Sequence, residues 1–258
     1  MTISDYQVIT SLQNNQIKLL EKLNSKKSRQ ESKKFIVENL AIIFDALKAG
    51  YDFEALFITE DFANKHQSEL QYLQSNSKSK NFYLIDDKLN KHYSNLDTPS
   101  GITAIYSIKP KELNKTSVVY LNGISDPGNL GTIMRSALAF NFVNLVLDKH
   151  CVDVYNSKVI SAAKDAIFKL NIIEDRAGKW LQDNKLPVYA ASAHDGVNLA
   201  EFKPLKAFCL VLGSESHGIN PEILEIAKKS LKIEISEKIE SLNVAAAAAI
   251  LFYELRNK

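Results

Sequence analysis

Residues 117–140 read SVVYLNGISDPGNLGTIMRSALAF: an apolar run breaks into a turn bearing glycine and proline, and apolar residues then resume at helical spacing. Residues 117–121 are a strand candidate, 123–128 a loop and 129–140 a helix. Ile133, Met134, Ala137 and Leu138 are spaced on that helix to meet a sheet. Strand, glycine turn and helix in this order are the building unit of an α/β sheet.

The same rhythm continues towards the end of the chain. Strands are expected at 143–147, 188–191, 207–212 and 231–235, and helices over 157–168, 221–229 and 242–255. Apolar strands alternating with helices predict a largely parallel sheet covered on both faces, with ligands outside the carboxyl ends of its strands. Upstream, Leu19, Leu20 and Leu23 offer an apolar stripe on a helix within 12–23, whereas 24–31 is polar and reads as a loop. Residues 35–37 suit a short strand. Leu40, Ile42, Ile43, Ala46 and Leu47 predict a helix that Gly50 stops. Further short strands at 56–58, 82–85 and 103–108, with a polar helix or loop over 61–80, make this half a small α/β module. Expected domains are therefore 1–108 and 117–258, joined by a polar linker, 109–116, that contains Pro110.

Composition narrows the function classes. A chain of 258 residues, 45% apolar and 24% charged, has the make-up of ordinary globular domains. Cys151 and Cys209 sit among apolar residues without a Cys-x-x-Cys or Cys/His cluster, so no metal is expected and the chain reads as a reduced, cytoplasmic protein. Met1 to Thr10 shows no secretion signal. The apolar run 243–253 falls well short of the ~20 residues a bilayer needs, so it is read as a buried helix. A net charge of +2 says little about partners, but seven basic residues against two acidic ones lie between Lys18 and Lys34. Such a segment can touch a phosphate backbone or be simply a solvated helix face.

Three loops carry chemistry. In the first, Asp126 or Asn129 can cap the helix, while Gly128 and Gly131 let backbone approach a ligand. Arg135 follows Asn129 by less than two helical turns, so both can face one cleft; the plain alternative is an exposed or salt-bridged helix arginine. The second loop, Leu212-Gly213-Ser214-Glu215-Ser216-His217-Gly218-Ile219, follows an apolar strand. Small residues beside Glu215 suit a tight ligand-facing turn. His217 is an acid–base candidate by residue type, but no Ser, Asp or Cys arrangement accompanies it. Neither a Gly-x-Gly-x-x-Gly turn nor a Gly-Lys-Thr phosphate loop is present here, which argues against nicotinamide chemistry. The third segment, Glu240-Ser241-Leu242-Asn243-Val244 before Ala245 to Ala249, offers helix-start residues and an alanine run that permits close packing.

Taken together, in this order and after these strands, the three loops resemble motifs one, two and three of the SpoU/TrmH branch of SPOUT RNA methyltransferases. Motif one corresponds to Asn129-Leu130-Gly131 with Arg135, motif two to Gly213-Ser214-Glu215-Ser216-His217-Gly218, and motif three to Ser241-Leu242-Asn243-Val244. The resemblance covers 115–258 and extends less distinctly to the first half, where Phe35-Ile36-Val37-Glu38 and Ala46-Leu47-Lys48-Ala49-Gly50 look like the family's L30e-like substrate-binding domain.

The resemblance implies a C-terminal α/β trefoil-knot domain and an N-terminal L30e-like α/β domain. It implies transfer of a methyl group from S-adenosylmethionine to a ribose 2'-hydroxyl of structured RNA, rRNA in preference to tRNA, by a homodimer. Leu212, Gly213, Gly218, Ile233, Ile235 and Leu242 would hold the cofactor. Arg135 would act on the hydroxyl, as an electrostatic and positioning group or as a base, with Asn129 and Glu215 orienting it and Ser241 and Asn243 contacting substrate. Lys26, Lys27, Arg29, Lys33 and Lys34 would grip RNA. The chain departs from the family where Glu234 and Glu237 replace the proline and glycine of the cofactor loop, and where Ala163, Lys164, Asp165 and Ala166 replace a Ser-x-Gly-Ala pattern. These departures motivate a second reading, an RNA-binding homologue with little or no catalysis.

Overall fold

The computed structural model describes residues 6–214 and 217–256. The chain divides into two units, one running to Lys109 and taking in 155–161, the other holding 110–154 and the chain from Ala162 onward.

In the first unit, the described residues form five strands: β1 (Gln7–Ile9), β2 (Lys34–Val37), β3 (Ala55–Thr59), β4 (Phe82–Ile85) and β5 (Ile102–Ser107). Their order is β1-β4-β3-β5-β2; β4 runs parallel to β1 and β3, and β5 antiparallel to β3 and β2. Helices α1 (Asn15–Lys22), α2 (Lys26–Ser32), α3 (Leu40–Lys48), α4 (Glu60–Lys65), α5 (Gln67–Asn76) and α6 (Asp87–Tyr93) accompany the sheet. Ile17 and Leu20 of α1 join Phe57, Ile105, Leu89 and Tyr93 in one buried cluster. As expected, Gly50 ends α3, with φ +84°.

The polar stretch expected to be a loop is instead largely α2. Ser25 caps it, its Oγ accepting the Ser28 amide at 3.1 Å, and local side-chain capping stabilises a helix that has little apolar face. This corrects one residue of the expected RNA-gripping set. Arg29 is buried, and its guanidinium donates to the Leu23 and Asn24 carbonyls at 2.7 and 2.9 Å, satisfying acceptors at the end of α1. Lys34 is also engaged, at 2.5 Å from Glu54. Partial burial works to raise the Glu54 carboxyl's pKa, but Lys34 and Ser107 outweigh it and leave that pKa below its ordinary value. Lys26, Lys27 and Lys33 remain exposed.

In the second unit, β6 (Val118–Asn122), β7 (Asn144–Asp148), β8 (Asn171–Asp175), β9 (Val188–Ser192), β10 (Val197–Asn198), β11 (Cys209–Gly213) and β12 (Lys229–Lys232) form a parallel sheet ordered β10-β12-β9-β11-β6-β7-β8. Every residue of β6 and β7 is buried, as a sheet covered on both faces requires. Between β7 and β8 come α8 (Ser157–Ala163) and α9 (Ala166–Lys169), separated by Lys164 in the left-handed region at φ +57°. The remaining helices are α7 (Pro127–Ala139), α10 (Lys179–Asp183), α11 (Pro221–Ile226) and α12 (Val244–Leu255). Leu181 and Ile223, from α10 and α11, pack with Tyr120, Val146 and Val211. Helices α7 and α12 pack against each other.

Strand β8 and helix α10 were not anticipated from the sequence. The last strand also lies two or three residues earlier than expected, so Ile233 and Ile235 fall in the loop beyond it. It is inserted between β9 and β10, although both precede it in the chain. Among the described residues, no helix is long and apolar enough to cross a membrane. Both cysteines are buried free thiols. Burial, reinforced for Cys151 by the neighbouring Asp148 carboxylate, pushes each thiol up to about 12.

Arg29→Ala is expected to lower stability by about 2 kcal/mol, because it removes two charge-assisted bonds to backbone carbonyls. Lys27→Ala, which loses only an exposed ion pair, should change it by less than about 0.5 kcal/mol. Urea unfolding of both variants measures the difference, and equal effects would refute the structural role of Arg29.

Candidate functional site

The carboxyl ends of β6 and β7 and the start of α11 are tied together by one buried carboxylate and one buried amide. Asp148 Oδ2 accepts from Asn122 Nδ2 at 2.7 Å, and Asp148 Oδ1 accepts the backbone amides of Gly123, His150 and Cys151 at 3.1, 2.9 and 3.0 Å. Asn122 Oδ1 in turn accepts the Asn220 amide at 2.9 Å. The loops after β6 and β7 are also joined by a bond from the Val152 amide to the Ile124 carbonyl at 2.9 Å. These bonds satisfy a charge that would otherwise be costly to bury.

Asp126 caps α7, its Oδ1 accepting the Asn129 amide at 2.7 Å, with Pro127 in the first turn. This decides between the two candidate caps. The Asn129 side chain faces the last helix instead: Asn243 Nδ2 donates to Asn129 Oδ1 at 3.0 Å. Asn243 is itself the cap of α12, its Oδ1 accepting from the Ala245 and Ala246 amides at 3.0 and 3.3 Å. Arg135 is exposed on α7 and makes no hydrogen bond or ion pair among the described residues. Glu215, expected to orient it, lies outside the described residues, as does Ser216.

A cleft of about 460 Å³ opens beside these helix starts. The residues expected to contact a cofactor, Leu212, Gly213, Gly218, Ile233, Ile235 and Leu242, all line it, as do Ser241 and His217. Asn129, Arg135 and Asn243 are not among its lining residues. One wall is a closed turn, in which the Ser214 amide donates to the Gly218 carbonyl at 3.1 Å and the Gly218 amide returns to the Ser214 carbonyl at 2.9 Å. The turn presses on Gly213, where a Cβ would stand 2.3 Å from the Gly218 carbonyl carbon. Gly218 has φ +66°, with open space where its own Cβ would be.

Glu234 and Glu237 do not line the cleft. Glu234 accepts from Asn198 Nδ2 at 2.9 Å, and Glu237 is exposed with no left-handed backbone angle, so the missing proline and glycine impose no such strain here. Among the described residues, no three His, Cys, Asp or Glu side chains group as metal ligands. Sequence reasoning missed Asn122, Asp148 and the 191–194 wall with His194. The first two carried a signal: each is a polar residue ending an apolar strand at the sheet edge where ligands bind.

The SpoU rRNA Methylase family profile matches residues 116–253, and the MRM3-like substrate binding domain profile matches 14–104. The chain is 27% identical over 253 residues to the 23S rRNA (guanosine(2553)-2'-O)-methyltransferase RlmP of Bacillus subtilis, an alignment covering 96% of this chain and 98% of that protein. A putative RNA methyltransferase of the TrmH family from Porphyromonas gingivalis is similar in structure, with a TM-score of 0.81 and 30% identity, over 95% of this chain and 98% of that one. An AdoMet-bound rRNA methyltransferase from Sinorhizobium meliloti shares the fold, with a TM-score of 0.81 at 23% identity over 97% of each chain.

Gly213→Ala is expected to cost about 3 kcal/mol, because the new methyl meets backbone that must shift. Gly218→Ala meets no neighbour and should cost only the left-handed penalty of about 1–2 kcal/mol. Denaturant titration ranks the two, and the reverse order would contradict the packing of this turn.

Proposed function

The chain belongs to the SpoU rRNA methylase family, and from that premise we propose that it methylates a ribose 2'-hydroxyl of rRNA using S-adenosylmethionine. The observation that carries this reading is the convergence of motifs one and three, joined through Asn129 and Asn243, beside a cleft walled by motif two. The cleft falls within the usual range for small-molecule sites, roughly 300–1,000 Å³, and its lining combines apolar side chains with a few polar groups. Leu212, Gly213 and Gly218 from one loop, with Ile233, Ile235 and Leu242 from the other, suit the cofactor; the Gly213 contact brings backbone where a side chain would stand. When bound, the cofactor supplies a methyl group on a cationic sulfur.

The chain's own task is to align and stabilise the attacking oxygen. Arg135 is a permanent cation and a planar donor, so it acts by holding the ribose oxygen or its neighbouring phosphate and by stabilising negative charge as the proton departs. Asn129 and Glu215 orient these groups, and Ser241, on the cleft rim, contacts substrate. Lys26, Lys27 and Lys33 contribute phosphate contacts from the substrate-binding domain, whereas Arg29 serves its own helix end. The RNA partner and the two buried free thiols suit the cytoplasm. We also assign a homodimer, formed over the open face of α12 where Ile250 and Tyr253 are 39% and 49% exposed. A catalytically weak homologue is disfavoured, since the acidic side chains that motivated that reading do not line the cleft.

Arg135→Ala should reduce single-turnover methyl transfer by about 100-fold while leaving the melting temperature unchanged, as loss of one preorganised donor does elsewhere. Labelled S-adenosylmethionine and deproteinised rRNA, followed by nuclease digestion and mass spectrometry, should locate the methyl on ribose. A methylated base, or parent-like transfer by Arg135→Ala, would reject the assignment. In sedimentation equilibrium, tens of micromolar protein should run as a dimer; a monomer alone would remove α12 as an interface.

A further inference from the structure

The segment that follows β12 walls the cleft, and a side-chain hydrogen bond ties it to the neighbouring strand. Ile233 and Ile235 line the cleft, whereas Glu234 between them does not. Extended chain sends successive side chains to opposite sides, so turning Glu234 away also turns both isoleucines inward. The sheet itself gives this stretch little support. Lys232 stands opposite Asn198 of β10 and Ser192 of β9, and the pairing of β12 with both neighbours ends there. One step further on, Glu234 Oε2 accepts from Asn198 Nδ2 at 2.9 Å.

The Asn198 end of this bond is fixed independently of Glu234. Its Oδ1 accepts the Ala200 amide at 3.0 Å as the cap of the short 3-10 helix Leu199–Glu201, so its Nδ2 end is the one left to face Glu234. Its backbone lies in register with Lys232. Two residues upstream, Gly196 has φ +140°, and a Cβ there would stand 2.5 Å from the Ser230 carbonyl oxygen, so the chain entering β10 sits directly on β12. Glu234 thus meets a donor whose place the sheet has already set.

We propose that Glu234 is a positioning residue for the cofactor, whose bond to Asn198 holds 233–235 with Ile233 and Ile235 facing S-adenosylmethionine. The cofactor part of this rests on the ribose methyltransferase reading; the tie between the two side chains does not. A wall already in place spares binding the entropy of ordering it. Glu234 stands where the family's loop has a proline, a residue that fixes φ with no side-chain partner. Here a hydrogen bond across to β10 supplies the restraint instead, so the departure from the family pattern is itself part of the site.

Exchanging the two roles tests the assignment. Asn198→Asp keeps the cap, because an aspartate oxygen accepts the Ala200 amide, but it sets a carboxylate against Glu234. Glu234→Gln keeps an oxygen acceptor for Asn198. In the double variant the introduced glutamine donates to the introduced aspartate, and the pair is restored in reverse. In calorimetry with S-adenosylmethionine, Asn198→Asp should raise Kd about fivefold or more, the scale of one exposed charged hydrogen bond. Glu234→Gln and the double variant should stay within about twofold of the parent, and all three should melt within about 2 °C of it. Parent-like affinity of Asn198→Asp overturns the proposal, as does a double variant that binds no tighter than Asn198→Asp. An affinity loss that tracks a loss of melting temperature also overturns it, leaving the pair a structural tie alone. Should the parent bind no S-adenosylmethionine at millimolar concentration, the methyltransferase reading has failed and the cofactor role falls with it. Hydrogen exchange then decides the tie: the amides of 233–235 should exchange faster in Asn198→Asp and at the parent rate in the double variant, and equal rates in all overturn it.

Discussion

Asp148 is a carboxylate held almost out of water at the end of a strand, receiving one side-chain and three backbone hydrogen bonds. It ties together the turns that leave β6 and β7. A buried charge is tolerable only when its oxygens are occupied, and here the donors come from the turns that leave β6 and β7. Asn122, oriented by Asp148, extends the same constraint through its oxygen to Asn220, beyond the closed turn after β11. Three loops that are distant in sequence thus share one origin. The starts of α7 and α11 are positioned by bonds that do not involve the ligand.

The second constraint is the satisfaction of helix N-termini. Asp126 and Asn243 are each required locally, because amides in a first helical turn have no partners within the helix. Their placement has a non-local result: Asn129, whose amide Asp126 accepts, meets the side chain of the other cap, Asn243, and the outcome is a hydrogen-bonded pair beside the cleft. Function here reuses groups that the fold already had to supply. The closed turn between Ser214 and Gly218 shows the same economy, since backbone bonds that stabilise it also press it against Gly213 and leave room for backbone alone.

Much of this was legible in the sequence, and the parts that were not have physical reasons. The apolar strands of the second unit and the helix over 129–140 were readable because buried parallel strands and amphipathic helices carry strong periodicities. The six expected cofactor residues from Leu212 to Leu242, all of which line the cleft, were readable from the order of the motifs. Helix α2 was not, because it is stabilised by the Ser25 cap and by Arg29 folding back on α1 and shows little apolar periodicity. Arg29 looked like a surface cation for the same reason: charge pattern alone does not distinguish a side chain facing solvent from one facing carbonyls. Strand β12 was displaced because Ile233 and Ile235 are apolar for the sake of the cleft, and so prolonged the apparent strand. Asp148 and Asn122 carried a signal that only their position at the sheet edge made meaningful.

The placement of β12 between β9 and β10 bears on how the site is assembled. Its two neighbours in the sheet precede it in the chain, so the gap between β9 and β10 is filled only by residues 229–232. Cleft walls at 233–242 and the α12 cap follow still later. Filling the gap between β9 and β10 and building the cleft wall at 233–242 therefore depend on one continuous segment: without β12 the facing edges of both neighbours lack partners, and the wall that follows it loses its anchor.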